Sequence, residues 1–398
     1  MSKWRRRVLS AALVLVVAGC ASLPRDPVPV ELADRAAVLD GTQFRYWGDE
    51  PPVNMDGLIA ESWGQARARR PHLLKNGTPP AISFLAISGG GSDGAFAAGL
   101  LVGWTSRGDR PEFDIVTGVS VGALTAPFAF LGPRYDKALK AVHTTYSTDQ
   151  LVKKQFVRGL LGGESLASNA PLARVIAAYI DEDFIRKVAH EHSRGRRLLI
   201  GTTNLDAQRP VVWNMGRIAS SGHPHALQLF RNVLLASAAI PAVFPPVHIS
   251  VHVEGQLHEE MHVDGGTTNQ VVLFPMQIRS DGTDAKLGIR PTRRLYIVRN
   301  GRVTPEFQVV KASTLAIAGR SISTLIKTQG IGDLYQMHAS AQRNGIDYNL
   351  AYIPGDFPDT STEAFDPIYM SRLFELGAKL GRSGGAWTKT PPRLGAHP

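Results

Sequence analysis

Short apolar runs alternate along the chain with longer segments in which apolar residues recur every three or four positions. The runs predict buried strands, of which the clearest are 82–88, 113–117, 197–203 and 294–298. The longer segments predict helices at 171–192, 225–238, 307–327, 333–343 and 367–380. Strands and helices that alternate in this way pack as a mainly parallel sheet with helices on both faces, so we expect an α/β fold.

Other parts of the chain depart from this alternation. Segments 247–253 and 257–263 flank the turn pair Glu254-Gly255, which predicts a hairpin. Residues 20–80 are rich in proline, and we expect a tether there with one docked helix near 58–69. Residues 278–398 keep their apolar content, which predicts an extension packed on the core formed by 81–277.

Ser120 follows the apolar run 113–117 in the sequence Gly118-Val119-Ser120-Val121-Gly122. A strand that ends in Gly-x-Ser-x-Gly and continues into a helix is typical of a nucleophile elbow, in which a tight turn exposes the serine hydroxyl. The following helix directs its N-terminal dipole at the reacting oxygen. This context favours Ser120 over two other matches, centred on Ser92 and Ser383. Acyl-transfer hydrolysis at Ser120 is therefore the first hypothesis.

A glycine-rich loop, Gly89-Gly90-Gly91-Ser92-Asp93-Gly94, joins the strand at 82–88 to a helix. Such a loop leaves backbone N–H groups free to converge on an anion. A dinucleotide site would need an acidic residue where the Ser120 turn lies, and a P-loop would need Gly-Lys-Ser/Thr after the glycines. The remaining alternatives are an oxyanion hole near Gly90 and Gly91 and a simple glycine turn.

Asp264-Gly265-Gly266 follows the predicted hairpin. Asp-Gly is a common turn pair, so this motif by itself predicts a turn. A serine hydroxyl, however, is a weak nucleophile at neutral pH and needs a base. A partly desolvated carboxylate can be that base, because burial raises its pKa. Asp264 is therefore the candidate base for Ser120.

In this order, the three motifs resemble those of the patatin-like phospholipase family, and 236–246 resembles the segment before the family's aspartate strand. The resemblance covers residues 81–277 and implies a three-layer α/β/α sandwich. It also implies a lipid acyl hydrolase of the phospholipase A, lysophospholipase or esterase type, with a catalytic dyad of Ser120 and Asp264. The N–H groups of Gly90, Gly91 and Val121 would form the oxyanion hole. The remaining motif glycines are Gly89, Gly94, Gly118, Gly122, Gly265 and Gly266.

Asp93 departs from the family pattern, since many members carry Arg or Lys at this position. A carboxylate pointing inward would oppose an oxyanion. We therefore expect Asp93 to cap the helix that opens at Gly94 or to face away from it.

Three alternatives stay open. An α/β-hydrolase triad would recruit His338 or His397, which follow Asp264 in the chain. A non-catalytic envelope lipoprotein could have kept the fold and lost the chemistry. The histidines of the hairpin could meet across its strands as metal ligands, but an exposed strand face is commoner, so we expect no metal and no cofactor. These histidines are His248, His252, His258 and His262.

The first 19 residues are typical of a bacterial lipoprotein signal peptide. Lys3 and the arginines at 5–7 precede the apolar stretch 8–18, which is too short to span a bilayer. The sequence Val17-Ala18-Gly19-Cys20 then reads as a lipobox, and Cys20 is the only cysteine. We therefore expect Cys20 to be lipidated, and Ala21 favours the outer membrane, with the protein facing the periplasm.

The chain carries a formal net charge of +10, of which the leader contributes +4, so +6 remains for residues 20–398. No Lys/Arg-rich run with interleaved aromatics occurs, which makes nucleic-acid binding an unlikely function class. A modestly basic surface fits anionic lipid headgroups as well as it fits simple solvation. The expected partners are thus a lipid ester substrate and a membrane, and no protein partner is predicted.

Overall fold

The computed structural model describes residues 25–69, 81–154, 165, 167–272, 291–358, 361 and 363–392. The predicted leader, Cys20 and His397 lie outside the described residues. So does the predicted boundary between the 81–277 domain and the C-terminal extension.

The described elements alternate as the sequence predicts. The strands are β1 Arg45–Trp47, β2 Ile82–Ile87, β3 Ile115–Val119, β4 Lys153–Lys154, β5 Ala167–Ser168, β6 Arg197–Asn204, β7 Arg209–Asn214, β8 Val247–Val253, β9 Gln256–Asp264, β10 Arg293–Arg299 and β11 Asp347–Tyr352. The helices are α1 Met55–Arg69, α2 Gly94–Arg107, α3 Val121–Leu131, α4 Asp136–Thr144, α5 Thr148–Leu151, α6 Ala170–Tyr179, α7 Glu182–Ser193, α8 Met215–Ser220, α9 Ala226–Ser237, α10 Thr314–Arg343 and α11 Pro367–Ser383.

The main sheet has the strand order β1-β7-β6-β3-β2-β10-β11. Strands β6, β3, β2, β10 and β11 are parallel, whereas β7 and β1 add antiparallel strands beyond β6. The hairpin of β8 and β9 joins the end of β6. We call the edge at which the parallel strands end the carboxyl edge. The predicted α/β fold with a mainly parallel sheet is confirmed.

Apolar side chains fill both faces of this sheet. Along β2, Leu85 and Ile87 belong to the larger core, and Ala86 between them belongs to the smaller core on the other face. This follows from the period of two in a strand. The larger core includes buried residues of α2, α3, α9 and α11, and the smaller one includes Leu334 and Met337 of α10. The sheet is thus covered by helices on both sides.

Three local predictions differ from the structure. The helix expected at 171–192 is two helices, because Asp181 caps α7 by accepting a hydrogen bond from the N–H of Phe184 at 2.7 Å. The helices expected at 307–327 and 333–343 are the single 30-residue α10. Strand β11 was not predicted, although four of its residues in succession are buried.

The N-terminal segment does not behave as a free tether over 36–69. Strand β1 pairs with β7, and Ala36, Val38 and Phe44 lie in the larger core. The predicted docked helix is present as α1. The prediction from proline content overlooked the apolar residues between the prolines. Burial of those residues holds the segment against the rest of the fold.

The C-terminal part contributes to the sheet itself, since β10 lies between β2 and β11. Helix α11 packs along α2 on the face of the larger core. Among the described residues, we find no helix with the length and apolar character to cross a membrane.

A buried ion pair fastens β1 to the hairpin. The guanidinium of Arg45 donates two hydrogen bonds to the carboxylate of Glu260, one of them at 2.8 Å. His262 Nε2 lies 3.0 Å from the same carboxylate. Burial alone raises the pKa of Glu260, but the bonds to Arg45 and His262 outweigh it and lower this pKa to about 2.

Replacing Arg45 by Met should lower the free energy of unfolding by about 3–5 kcal/mol, because Glu260 would stay buried without its cation. Urea denaturation measures this change. The matched control is Arg35→Met, since Arg35 pairs with Glu254 and both side chains are 59% exposed. That change should stay within about 1 kcal/mol. Equal losses in the two variants would contradict the role given to Arg45.

Candidate active site

Ser120 forms the turn between β3 and α3. Its φ of 55° and ψ of −127° are unusual for a residue with a side chain, as a nucleophile elbow requires. Ser237 holds this turn: its Oγ accepts a hydrogen bond from the N–H of Ser120 at 3.0 Å and donates one to the carbonyl of Gly201 at 2.6 Å. The elbow is therefore tied to the end of β6.

The flanking glycines let α3 start close to the sheet. A Cβ at Gly122 would collide with the carbonyl oxygen of Ile87, and one at Gly118 would collide with the carbonyl oxygen of Gly122. Because α3 begins at Val121, its N-terminal N–H groups lie next to Ser120.

The register of β6 brings Asp264 to Ser120. Strand β7 occupies one side of β6, and on the other side β3 pairs up to Val119, which faces Gly201. At the next residue of β6, Thr202, β9 takes the place of β3 and contributes Asp264. The last residue of β9 therefore lies directly beyond the end of β3, where the chain turns at Ser120.

The carboxyl group of Asp264 is buried and hydrogen-bonded. It accepts the N–H of Gly266 at 2.7 Å, and the side chain of Ser120 lies close enough to affect its pKa. Burial raises the pKa of Asp264 to about 7, although the Ser120 side chain and the Gly266 N–H both act in the opposite direction. A carboxylate with this pKa can accept a proton near neutral pH.

The glycine-rich loop passes on the other side of Ser120. A Cβ on Gly89 would lie 3.1 Å from the Cβ of Ser120. Gly90 has a φ of 153° and approaches Asn300 so closely that a Cβ would collide with its carbonyl oxygen. Gly91 also has a positive φ, of 57°, and lines the same cavity as Ser120 and Val121.

The other motif glycines lie at the contacts between these turns. Gly94 begins α2 and abuts Val121, and Gly265 abuts the carbonyl of Gly201. All of the residues predicted for the dyad and the oxyanion hole therefore lie at the carboxyl edge within three adjoining turns. The roles assigned to them stay predictions.

Of the two orientations expected for Asp93, the structure shows the second: its side chain faces away from the start of α2 and does not cap it. Asp93 occupies the N-cap position without a side-chain capping bond, and its Oδ1 accepts a hydrogen bond from Tyr369 Oη at 2.7 Å. Burial lowers the pKa of Arg299, while the charges of Asp333 and Asp93 oppose this. The negative charge of Asp93 is thus directed towards α11 and nearby arginines.

Gln270 joins the glycine-rich loop to the turn after Asp264 and was not predicted from the sequence. Its carbonyl accepts the N–H of Gly89 at 3.2 Å, and its Nε2 donates to the carbonyl of Gly266 at 2.8 Å. Arg299 Nη1 donates to its Oε1 at 3.3 Å, and its N–H donates to Asp333 Oδ2 at 2.7 Å. No sequence motif marks these residues, because their role follows from contacts between distant segments.

An apolar cavity that opens to solvent adjoins Ser120. Aliphatic and aromatic side chains from α3, α6, α9 and α11 dominate its wall. Representative lining residues are Leu124, Phe128, Leu172, Ile176, Leu234 and Met370. A cavity of this kind accommodates a hydrocarbon chain.

One histidine, His143, lines this cavity and was not predicted. Its Nε2 lies 2.8 Å from Thr125 Oγ1, and burial lowers the pKa of His143 to about 4. Thr125 donates its hydroxyl proton to the carbonyl of Val121, so it accepts from His143. His143 is therefore neutral at physiological pH and holds the first turn of α3.

The histidines proposed in the alternatives lie elsewhere. His338 stacks edge-on against Tyr348, which belongs to the smaller core. His262 is buried between Glu260 and Thr202. Among the described residues, no group of three or more His, Cys, Asp or Glu side chains could hold a metal ion.

Comparisons with known proteins agree with the motif order. A family model described as "Patatin-like phospholipase" matches residues 85–276. No curated protein matches the chain. Among the solved structures that match is one titled "Crystal structure of VipD from Legionella pneumophila". It has 12% sequence identity and a TM-score of 0.40, with 78% of this chain and 68% of that chain covered.

Replacing Asp264 by Asn should stabilise the fold in a pH-dependent way. Because the folded pKa is raised from 3.8 to about 7, the folded state holds a proton that the unfolded chain releases. The resulting stability is complete below pH 3.8 and is lost as pH rises through about 7. Asp264→Asn removes the titrating group and so avoids this loss. The free energy of unfolding of the variant should exceed that of the parent only slightly near pH 4, and by up to about 4 kcal/mol above pH 8.

Thermal unfolding from pH 4 to pH 9 measures this gain. The exposed Asp149, changed to Asn in the same way, is the control and should show no comparable trend. An Asp264→Asn protein that is no more stable than its parent at pH 8 would argue against a buried, strained carboxylate.

Proposed function

Since the chain belongs to the patatin-like phospholipase family, we propose that it hydrolyses carboxylic esters of lipids, with Ser120 as nucleophile and Asp264 as general base. The family supports lipid acyl hydrolysis in general, and the assignment of these two residues is our inference. The observation that carries it is the strand register that places the buried carboxylate of Asp264, with a pKa of about 7, directly beside the turn at Ser120.

The reaction needs no third catalytic side chain. Asp264 takes the hydroxyl proton as Ser120 Oγ bonds to the ester carbonyl carbon. The bond to the alcohol then breaks, and Asp264 returns its proton to the departing oxygen. A water molecule then attacks the carbonyl carbon of the acyl-enzyme while Asp264 accepts a proton from that water. Release of the fatty acid returns that proton to Ser120.

The negative charge of each tetrahedral intermediate would develop between the glycine-rich loop and the start of α3. We assign its stabilisation to the N–H groups of Gly90, Gly91 and Val121, assisted by the N-terminus of α3. The apolar cavity would hold the acyl chain, because its wall offers few polar groups to a headgroup.

We further propose that the protein acts at a bacterial envelope, anchored through a lipidated Cys20 and facing the periplasm from the outer membrane. The first described residue, Arg25, pairs with Asp206 at 2.6 Å. Four residues lie between Arg25 and Cys20, so the Cα atoms of these two residues are at most about 18 Å apart. Such an anchor would keep the body of the protein close to the bilayer.

Ser120→Ala and Asp264→Asn should each reduce kcat/KM for a soluble short-chain ester by at least about 10³-fold, because each change removes one partner of the proton transfer. In the parent protein, kcat/KM should fall as pH drops below about 7, since Asp264 must be ionised to act as a base. Circular dichroism checks that both variants fold.

His338→Ala is the control for a catalytic triad and should retain nearly all of the activity. A loss as severe as that of Ser120→Ala would instead favour the triad. Failure of Ser120 to react with a fluorophosphonate probe, in a folded protein, would favour the non-catalytic lipoprotein.

Cys20→Ser should convert the protein from a carbonate-resistant membrane protein into one that alkaline carbonate extracts, because the acyl anchor would be lost. Fractionation of cells that export each form measures this. Ala21→Ser, one residue along, is the matched control and should stay anchored. Carbonate resistance that is unchanged in Cys20→Ser would contradict the anchor.

A further inference from the structure

Helix α10 extends far beyond the carboxyl edge of the sheet. It runs back along the sheet after β10, and its Gly330 lies beside the guanidinium of Arg299, the last residue of β10. Residues 314–329 therefore overhang that edge by about 24 Å at 1.5 Å per residue. We call this overhang, with the preceding loop 304–313, the 304–329 projection.

In the projection, polar side chains make the internal contacts and large apolar side chains are exposed, which is the reverse of an ordinary protein surface. Its loop and helix are joined by polar contacts: Arg320 Nη1 donates to Gln308 Oε1 at 3.2 Å, and Lys327 Nζ donates to Glu306 Oε2 at 2.7 Å. Arg320 also donates to the carbonyl of Glu306. The inner contacts that hold loop and helix together are thus hydrophilic.

The large apolar side chains of the projection point outwards. Phe307 is 95% exposed, Val309 82% and Leu325 69%. Ile317 and Ile322 are also exposed, and at 100° per residue they share with Leu325 one helix face about 140° wide. Arg320 and Lys327 lie on the opposite face. So many exposed large apolar side chains within one short segment mark a site of interaction.

The projection carries more positive than negative charge. Residues 304–329 contain Lys311, Arg320 and Lys327 and a single acid, Glu306, which pairs with Lys327. Exposed apolar side chains on a segment of net positive charge complement an anionic lipid surface, into which apolar side chains insert while basic ones meet the headgroups.

The projection shares its edge with the candidate active site. Gln329 donates to the carbonyl of Thr268, four residues after Asp264, and exposed Ile368 lies on α11 next to Tyr369, the partner of Asp93. Arg25, the residue nearest to the predicted anchor, contacts Asp206 just beyond the end of β6 at this edge. An anchor at Cys20 would therefore approach the bilayer from the same side.

We propose that the 304–329 projection docks on the surface of a bilayer that contains anionic lipid and turns the catalytic cavity towards it. The proposal rests on the proposed function for the choice of a lipid partner. The projection lies on the membrane in this arrangement and does not cross it.

A fluorophore placed on the projection tests the docking directly. Cys20→Ser removes the only cysteine, so a single cysteine can be introduced at Val309 or at Leu325 and labelled with a polarity-sensitive dye. Ser120→Ala keeps the lipid intact. Vesicles of phosphatidylethanolamine and phosphatidylglycerol should shift the emission of both labels to the blue, and pure phosphatidylcholine should shift it less.

The matched control is the same label at Ala68, which is exposed and precedes Arg69, the partner of Asp114 at the opposite edge of the sheet. It should not respond to vesicles. The absence of a shift at both projection sites would overturn the proposal. So would a shift that needs no vesicles and grows with protein concentration, because the face would then bind a second copy of the chain.

Kinetics separate this proposal from the proposed function. The double change Phe307→Ser and Leu325→Ser should lower hydrolysis of anionic vesicles by about tenfold or more, and leave hydrolysis of a monomeric short-chain ester within about twofold. Val53→Ser, at a fully exposed valine outside the projection, should affect neither. Equal losses on both substrates would overturn docking. If the emission of the labels shifts but the parent protein cleaves no ester, the proposed function alone would be overturned and docking would stand.

Discussion

The exchange of partners along one side of β6 is the constraint on which the site depends. Strand β3 must end at Val119, opposite Gly201, so that β9 can pair from Thr202 onward. A strand that stops inside a sheet leaves unpaired backbone groups unless another strand replaces it. The same replacement brings the C-terminal residue of β9 against the turn that follows β3. The strand pairing that completes the sheet is therefore the same pairing that places Asp264 beside Ser120.

The site holds two unfavourable features in place. Ser120 has a backbone conformation that side chains rarely adopt, and Asp264 is a carboxyl group in a desolvated position. Each is held by neighbours that are themselves buried, Ser237 for the elbow and Gln270 for the turn after Asp264. Rigid support of this kind lets a protein keep groups that would relax if the surroundings could move.

The sequence predicted those parts of the site that local chemistry encodes. Ser120 was recognisable because the glycines of its turn stand beside a strand, and Asp264 because of the order of three motifs. Gln270 and His143 were not recognisable, since their importance depends on contacts across long sequence separations. Residues 36–47 were misjudged for the opposite reason: neighbouring prolines suggested a tether, but the burial of Phe44 and the Arg45–Glu260 pair fold this stretch onto the sheet.

The carboxyl edge brings together features that would be unconnected in a soluble enzyme. An ester bond in a bilayer lies below the headgroups, so an enzyme that hydrolyses it must offer an apolar path from the lipid to its nucleophile. Here the cavity beside Ser120 is apolar, and the overhanging half of α10 extends from the same edge with its apolar face outwards. The exposed face has a cost in water, because Phe307 and Leu325 gain nothing from remaining solvated. If the proposed function holds, a fold that keeps such a surface beside a buried carboxylate of raised pKa would suit a reaction at an interface, where the apolar face is covered and the substrate is concentrated.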